Sequence, residues 1–121
     1  MGRGIAQTVA AAGFAVTLRE VNAELARKAL GGIEKSLQRA VEKGKITPEQ
    51  MKETLSRITA TDKLDEAASA GLVIEAIVED LTAKRELFGS LDRLCPPATI
   101  LATNTSALSV SAIAEVCRHP E

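Results

Sequence analysis

An α/β fold with a mostly parallel sheet is what this sequence predicts, and three observations lead there. Short runs rich in β-branched and aliphatic residues alternate with stretches whose apolar positions recur at helical spacing, the pattern of strands joined by crossover helices. Hydrophobic residues make up 45% of the chain while only Phe14 and Phe88 are aromatic, so its core must be Ala, Leu, Ile and Val packed at close range. The 121 residues suit one domain of ordinary size, with no internal repeat, low-complexity tract or linker.

Taken in order, Gly4 to Ala12 carries Ile5, Ala6, Val9 and Ala10 at helical spacing, with Gly13 where a helix C-terminus needs a left-handed residue. Phe14 to Leu18 is a β-rich run bounded by that glycine and by Arg19-Glu20, and reads as a buried parallel strand. From Asn22, a good N-cap, apolar positions recur at Leu25, Ala29, Ile33, Leu37 and Val41 until Gly44 ends a long amphipathic helix. Thr47-Pro48-Glu49-Gln50 combines an N-cap, a proline at the first helical position and a capping-box glutamine. It starts a second helix, with Met51 and Leu55, that completes a helical hairpin. Ile58 to Ala60 is a short strand candidate, and Leu64 to Ala68 a short helix.

Leu72 to Ile77 is the clearest strand, and Glu75 within it implies a strand end or a paired carboxylate. Leu81, Lys84, Leu87, Phe88 and Leu91 then mark a helix that Cys95-Pro96-Pro97 terminates. Thr99 to Thr103 is the last strand, Asn104-Thr105-Ser106 a polar loop beyond its C-terminal end, and Ser109 or Ser111 the cap of a final short helix.

A net charge of −1, from 15 basic and 16 acidic residues, supplies no field to gather nucleic acid or an acidic membrane surface, and neither is an expected partner. Cys95 and Cys117 lack metal-ligand spacing and His119 is the single histidine, so no metal site is expected. Met1 to Ala12 has neither the basic leader nor the apolar run of a signal peptide, and no segment is long enough to cross a bilayer. A cytoplasmic protein with reduced thiols is the expectation.

Gly2 and Gly4 ahead of a helix are commonly just a turn. Glu20, however, ends the next strand, where doubly wound dinucleotide-binding domains place the carboxylate that accepts from a ribose hydroxyl pair. The plain alternative is a solvated charge at a strand end.

Longer stretches speak to this choice. Met1-Gly2-Arg3-Gly4-Ile5-Ala6-Gln7 resembles the second half of the G-x-G-x-M-G-x-G-I-A fingerprint of the 3-hydroxyacyl-CoA dehydrogenases. Gly32-Ile33-Glu34-Lys35-Ser36-Leu37 is similar to that family's G-I-x-x-S-L helix, and Lys43 to Thr47 to its hairpin tip. Leu72 to Lys84 matches its L-V-I-E-A-x-x-E-x-L-x-x-K signature, while Cys95-Pro96 and Asn104-Thr105-Ser106 resemble its C-P and N-T-S signatures.

The resemblance implies a Rossmann-type doubly wound sheet with an inserted helical hairpin, NAD as cofactor and an acyl-CoA as substrate, with homodimers among full-length relatives. By it, Gly2 and Gly4 belong to the pyrophosphate turn and Glu20 is the adenosine-ribose carboxylate. Glu79, Lys84, Asn104 and Ser106 line the nicotinamide end, with Ser106 also donating to the oxygen on carbon 3 of the substrate. Ser36 and Lys43 correspond to coenzyme A contacts, the alternative being the solvated face of a long helix. Glu20 favours NAD over NADP because it would repel a 2′-phosphate, although Arg19 stands beside it.

Two further expectations come from the same matching. The family's histidine of the His-Glu proton-transfer pair follows a P-E pair that Pro120-Glu121 resembles, so it would lie beyond this sequence; His119 is not that histidine. The strand that opens the family's domain would precede Met1, flanked in the usual order by Phe14 to Leu18 and Leu72 to Ile77. Residues 1–121 would then be a partial NAD-binding domain, without the C-terminal helical domain. Two alternatives stay open: a related hydroxy-acid or sugar-acid dehydrogenase, and a non-catalytic remnant serving as an interaction module.

Overall fold

The computed structural model describes residues 2–77, 79–104, 110–114 and 117. The chain divides into two compact units, Met1–Lys63 and Leu64–Glu121.

The first unit begins with helix α1 (Gly2–Ala11), whose Ala6 and Ala10 are buried. Gly13 follows at φ 104°, a conformation that strains any residue with a Cβ, and it turns the chain into strand β1 (Val16–Arg19). Helix α2 (Ala23–Glu42) starts where the Leu25 N–H donates to the Asn22 side chain at 2.9 Å, and Gly44 at φ 71° follows its last turn. Helix α3 (Pro48–Ser56) has the full reciprocal box, with the Gln50 N–H donating to Thr47 Oγ1 at 3.1 Å and the Thr47 N–H to Gln50 Oε1 at 2.8 Å. Strand β2 (Ile58–Thr61) lies parallel to β1, with Val16 opposite Ile58 and Arg19 opposite Thr61.

Ala6, Ala10 and Ala29 let the two helices approach closely over the sheet, and Leu18, Ile33, Leu37 and Ile58 complete this core. The expected buried strand is corrected here. It begins at Val16 rather than Phe14, only its Leu18 is buried, and Phe14 is 64% exposed. The reason is its neighbourhood: among the described residues β1 has a strand partner on one side only, so its open side keeps side chains in solvent.

The second unit opens with a 3₁₀ turn (Leu64–Ser69) and strand β3 (Leu72–Glu75). Helix α4 (Leu81–Leu94) is capped by Asp80, whose carboxylate accepts from the Ala83 N–H at 3.1 Å. Strand β4 (Ile100–Thr103) pairs parallel with β3, Leu72 opposite Ile100 and Glu75 opposite Thr103. A short helix, α5 (Val110–Ala114), packs on α4. Phe88, Leu91, Cys95 and Ile113 are the buried apolar side chains of this unit among the described residues. Ser111 lies inside α5 and so does not cap it, while Ser109 falls outside the described residues.

Both strand pairs are parallel, as the alternation requires, but among the described residues they form two separate two-stranded sheets. Leu72 and Ile74 on β3 and Ile100 on β4 are left exposed. No helix among the described residues is long and apolar enough to cross a membrane.

Candidate functional site

In the second unit the side chains converge at the C-terminal ends of two parallel strands, the end where open α/β sheets hold their ligands. Glu75 closes β3 and is buried. One carboxylate oxygen accepts from the Thr103 hydroxyl at 2.5 Å, and the other accepts from the Ile77 N–H at 2.7 Å and lies 3.2 Å from the Lys84 ammonium. Lys84 sits in the first turn of α4, where Asp80 caps the helix, and its Nζ also pairs with Glu79. Across the strands the Asn104 N–H donates to the Glu75 carbonyl at 2.8 Å, which ties the loop after β4 to the end of β3.

The ammonium and the Glu75 carboxylate have no exposed surface, so each depends on the other and on the surrounding donors. Burial opposes the charged form of Lys84. The hydrogen bonds and charges of Glu79 and Glu75 outweigh that penalty, and the ammonium titrates above its ordinary 10.5. Glu79 is the open member, 43% exposed. The cluster thus presents one carboxylate to solvent on a buried, fully partnered base.

The first unit contributes a second group. Glu20 lies half-buried one residue past β1, and its N–H donates to the Thr61 carbonyl at 3.0 Å, which fixes the backbone at the strand's end. Arg19 turns away, its Nε donating to the Asp62 carbonyl at 3.3 Å. Gly2 begins α1, and a Cβ added at Gly4 would meet nothing within 4 Å. Ser36 is exposed on α2, and Lys43, also exposed, is its C-cap. A carboxylate at a parallel strand's C-terminal end and open space over the first turn of a helix suit the ribose and phosphates of a dinucleotide.

Of the residues singled out from sequence, Glu79 and Lys84 are joined directly, with Asn104 tied to the same strand end. Ser106 and His119 lie outside the described residues. Sequence reasoning did not find Glu75 and Thr103 as a pair. The signal was a charge inside an apolar run, but its partner becomes visible only once Asp80 is seen to start α4 and so to bring Lys84 back to the strand end. The thiols of Cys95 and Cys117 are pushed up by burial and then by Asp92, which makes both poor nucleophiles.

The NAD-binding-domain model of the 3-hydroxyacyl-CoA dehydrogenases matches residues 1–121. A probable 3-hydroxybutyryl-CoA dehydrogenase of Bacillus subtilis is 50% identical over 121 residues, which are 100% of this chain and 42% of that protein. The crystal structure of 3-hydroxybutyryl-CoA dehydrogenase from Escherichia coli K12 superposes with a TM-score of 0.96 at 42% identity, covering 100% of this chain and 26% of that one. The (S)-3-hydroxybutyryl-CoA dehydrogenase of Ralstonia eutropha gives 0.96 at 29% identity, covering 99% and 42%. The chain therefore spans less than half the length of these relatives. Its fold is the Rossmann-type one expected from the resemblance. With a family match along its whole length and a half-identical relative, the chain belongs to the 3-hydroxyacyl-CoA dehydrogenases and corresponds to their NAD-binding domain.

Proposed function

We propose that the chain holds NAD for an enzyme that oxidises L-3-hydroxyacyl-CoA, in particular 3-hydroxybutyryl-CoA, to 3-oxoacyl-CoA. The observation that carries this is Glu20, half-buried at the C-terminal end of β1, in a chain matched throughout by the family's cofactor domain. Its carboxylate accepts from the ribose hydroxyls and repels a 2′-phosphate, while the Arg19 Nε is engaged by the Asp62 carbonyl. NAD, when bound, supplies the hydride acceptor for carbon 3 of the substrate. Gly2 and Gly4 belong to the pyrophosphate turn, with open space at Gly4, and Glu79 meets the nicotinamide end while buried Lys84 holds its carboxylate in place. Asn104 lies at the same end, Ser106 donates to the reacting oxygen, and Ser36 and Lys43 contact the coenzyme A. The active protein is a cytoplasmic homodimer.

The test uses this chain joined at both ends to the flanking segments of the Bacillus subtilis relative, the extended form. Glu20→Ala is expected to weaken NAD binding by about tenfold, the loss of hydrogen bonds to one charged group, with turnover at saturating NAD nearly intact. Equal NAD affinity in the variant would remove Glu20 from the site.

A further inference from the structure

One cation serves two carboxylates at the end of β3. The Lys84 ammonium lies 3.2 Å from a Glu75 oxygen and also pairs with Glu79, and neither Lys84 nor Glu75 keeps any exposed side-chain surface. Burial opposes the ammonium, but its hydrogen bonds and charge contacts with Glu79 and Glu75 outweigh that and hold it above its ordinary 10.5, so Lys84 is charged at neutral pH. Two carboxylates and one ammonium leave the trio with a net charge of −1. Where that charge is felt follows from burial. Glu75 is closed in by the Thr103 hydroxyl and the Ile77 N–H, whereas Glu79 is 43% exposed, so the excess faces solvent at Glu79. Asp80 beside it is engaged by the Ala83 N–H at the positive end of α4, which partly offsets its own charge.

Packing does not account for Glu75. It follows the apolar Leu72, Val73 and Ile74 on β3, and a buried ion pair is in general no more stable than well-packed apolar side chains of the same volume. Nor is it the only partner of Lys84, since Glu79 pairs with the same ammonium. What Glu75 changes is the electrical state of the strand end. Without its charge, Lys84 and Glu79 would cancel. With it, Lys84 is neutralised from the interior, held there by a carboxylate whose two oxygens are fixed by Thr103 and Ile77, and Glu79 keeps its charge at the ligand end of the strands.

We propose that Glu75 is a positioning residue that sets this net −1 and thereby makes the site prefer oxidised NAD over NADH. The proposal rests on the reading that Glu79 meets the nicotinamide end of the cofactor. The two redox forms differ there by one charge: the oxidised nicotinamide ring is a cation and the dihydronicotinamide ring is neutral, while the adenosine and pyrophosphate parts are the same. A carboxylate with uncompensated charge distinguishes the two rings, and one cancelled by Lys84 does not. Solvent reaches the half-exposed Glu79 and screens the attraction, so the effect on relative affinity is about three- to tenfold. A preference of this sign loads the oxidised cofactor ahead of hydride transfer from a hydroxyl and loosens the reduced one afterwards.

The experiment measures by calorimetry the dissociation constants of oxidised NAD, NADH and ADP-ribose, which lacks the nicotinamide, for the extended form and its variants. Glu75→Gln keeps the shape of the side chain and removes its charge. The ratio of the NADH constant to the NAD constant should fall about three- to tenfold, through weaker NAD, while ADP-ribose stays within about twofold. Combining Glu75→Gln with Lys84→Met returns the trio to −1 and should restore most of the ratio, a reversal that loss of structure would not give. Should Glu75→Gln fold poorly, Lys84→Met and the double variant differ in the Glu75 charge alone, and the ratio should fall between them in the same way. Added salt should shrink the ratio of the unsubstituted protein. Equal weakening of NAD and NADH, or an unchanged ratio with ADP-ribose still bound, would overturn the role of Glu75 and leave the proposed function standing. An unsubstituted extended form that bound neither NAD nor ADP-ribose would remove the functional reading and this proposal with it.

Discussion

Lys84 is the residue on which the second unit's interior most depends, because its ammonium and the Glu75 carboxylate are both removed from solvent. Replacing it by methionine leaves a buried carboxylate without its cation. Such a break costs roughly 3 to 5 kcal/mol, and the lower end applies here because the Thr103 hydroxyl and Ile77 N–H still donate to Glu75. The pH dependence has a definite sign. The folded pKa lies above the ordinary 10.5, so the pair's contribution is fully present below pH 10.5 and is lost as pH rises through the folded value. The melting-temperature gap between the unsubstituted chain and Lys84→Met should therefore be constant from neutral pH to about 10 and narrow beyond it. A gap independent of pH up to denaturation would show that the ion pair contributes no net stability.

At the level of elements, caps and glycines were the most legible features, because each depends on a few adjacent residues. Asn22, the Thr47–Gln50 box and the two left-handed glycines all appear where the local pattern puts them. Thr47→Ala should cost about 1 kcal/mol and raise amide exchange in α3, whereas Glu49→Ala should cost less than half of that. Equal losses from the two would mean that the box adds nothing to ordinary helix propensity. Features set by distant partners were less legible. An apolar run reads the same whether one or two strands cover it, so exposure of Phe14 and the short extent of β1 could not be seen in the sequence. The position of Glu20 just past β1 and of Glu79 ahead of α4 was legible from spacing and resemblance. The Glu75–Thr103 contact was not, since it joins residues far apart in sequence.

At the scale of the whole molecule, two parallel pairs each present an open edge. Strand β1 pairs only with β2 and β3 only with β4 among the described residues, and Leu72, Ile74 and Ile100 are exposed beside those ladders. Unpaired edges with apolar neighbours recruit further strands. The 121-residue chain should self-associate with rising concentration in sedimentation, and Thr17→Lys combined with Ile74→Lys should shift it toward monomer. A monomer at all concentrations, unaffected by those substitutions, would show that the edges are protected.

The functional account meets its most direct test in NADH production from L-3-hydroxybutyryl-CoA and NAD. The extended form should turn over with NAD and far more weakly with NADP, and Ser106→Ala should lower turnover more than it weakens NAD binding. The 121-residue chain alone should turn over at least about 10² to 10⁴ more slowly, the factor that general acid-base groups supply, since the family's His-Glu pair is expected outside it. Turnover by the 121-residue chain at the rate of the extended form would contradict the account, as would an extended form that binds NAD and coenzyme A yet leaves the hydroxyacyl substrate unoxidised.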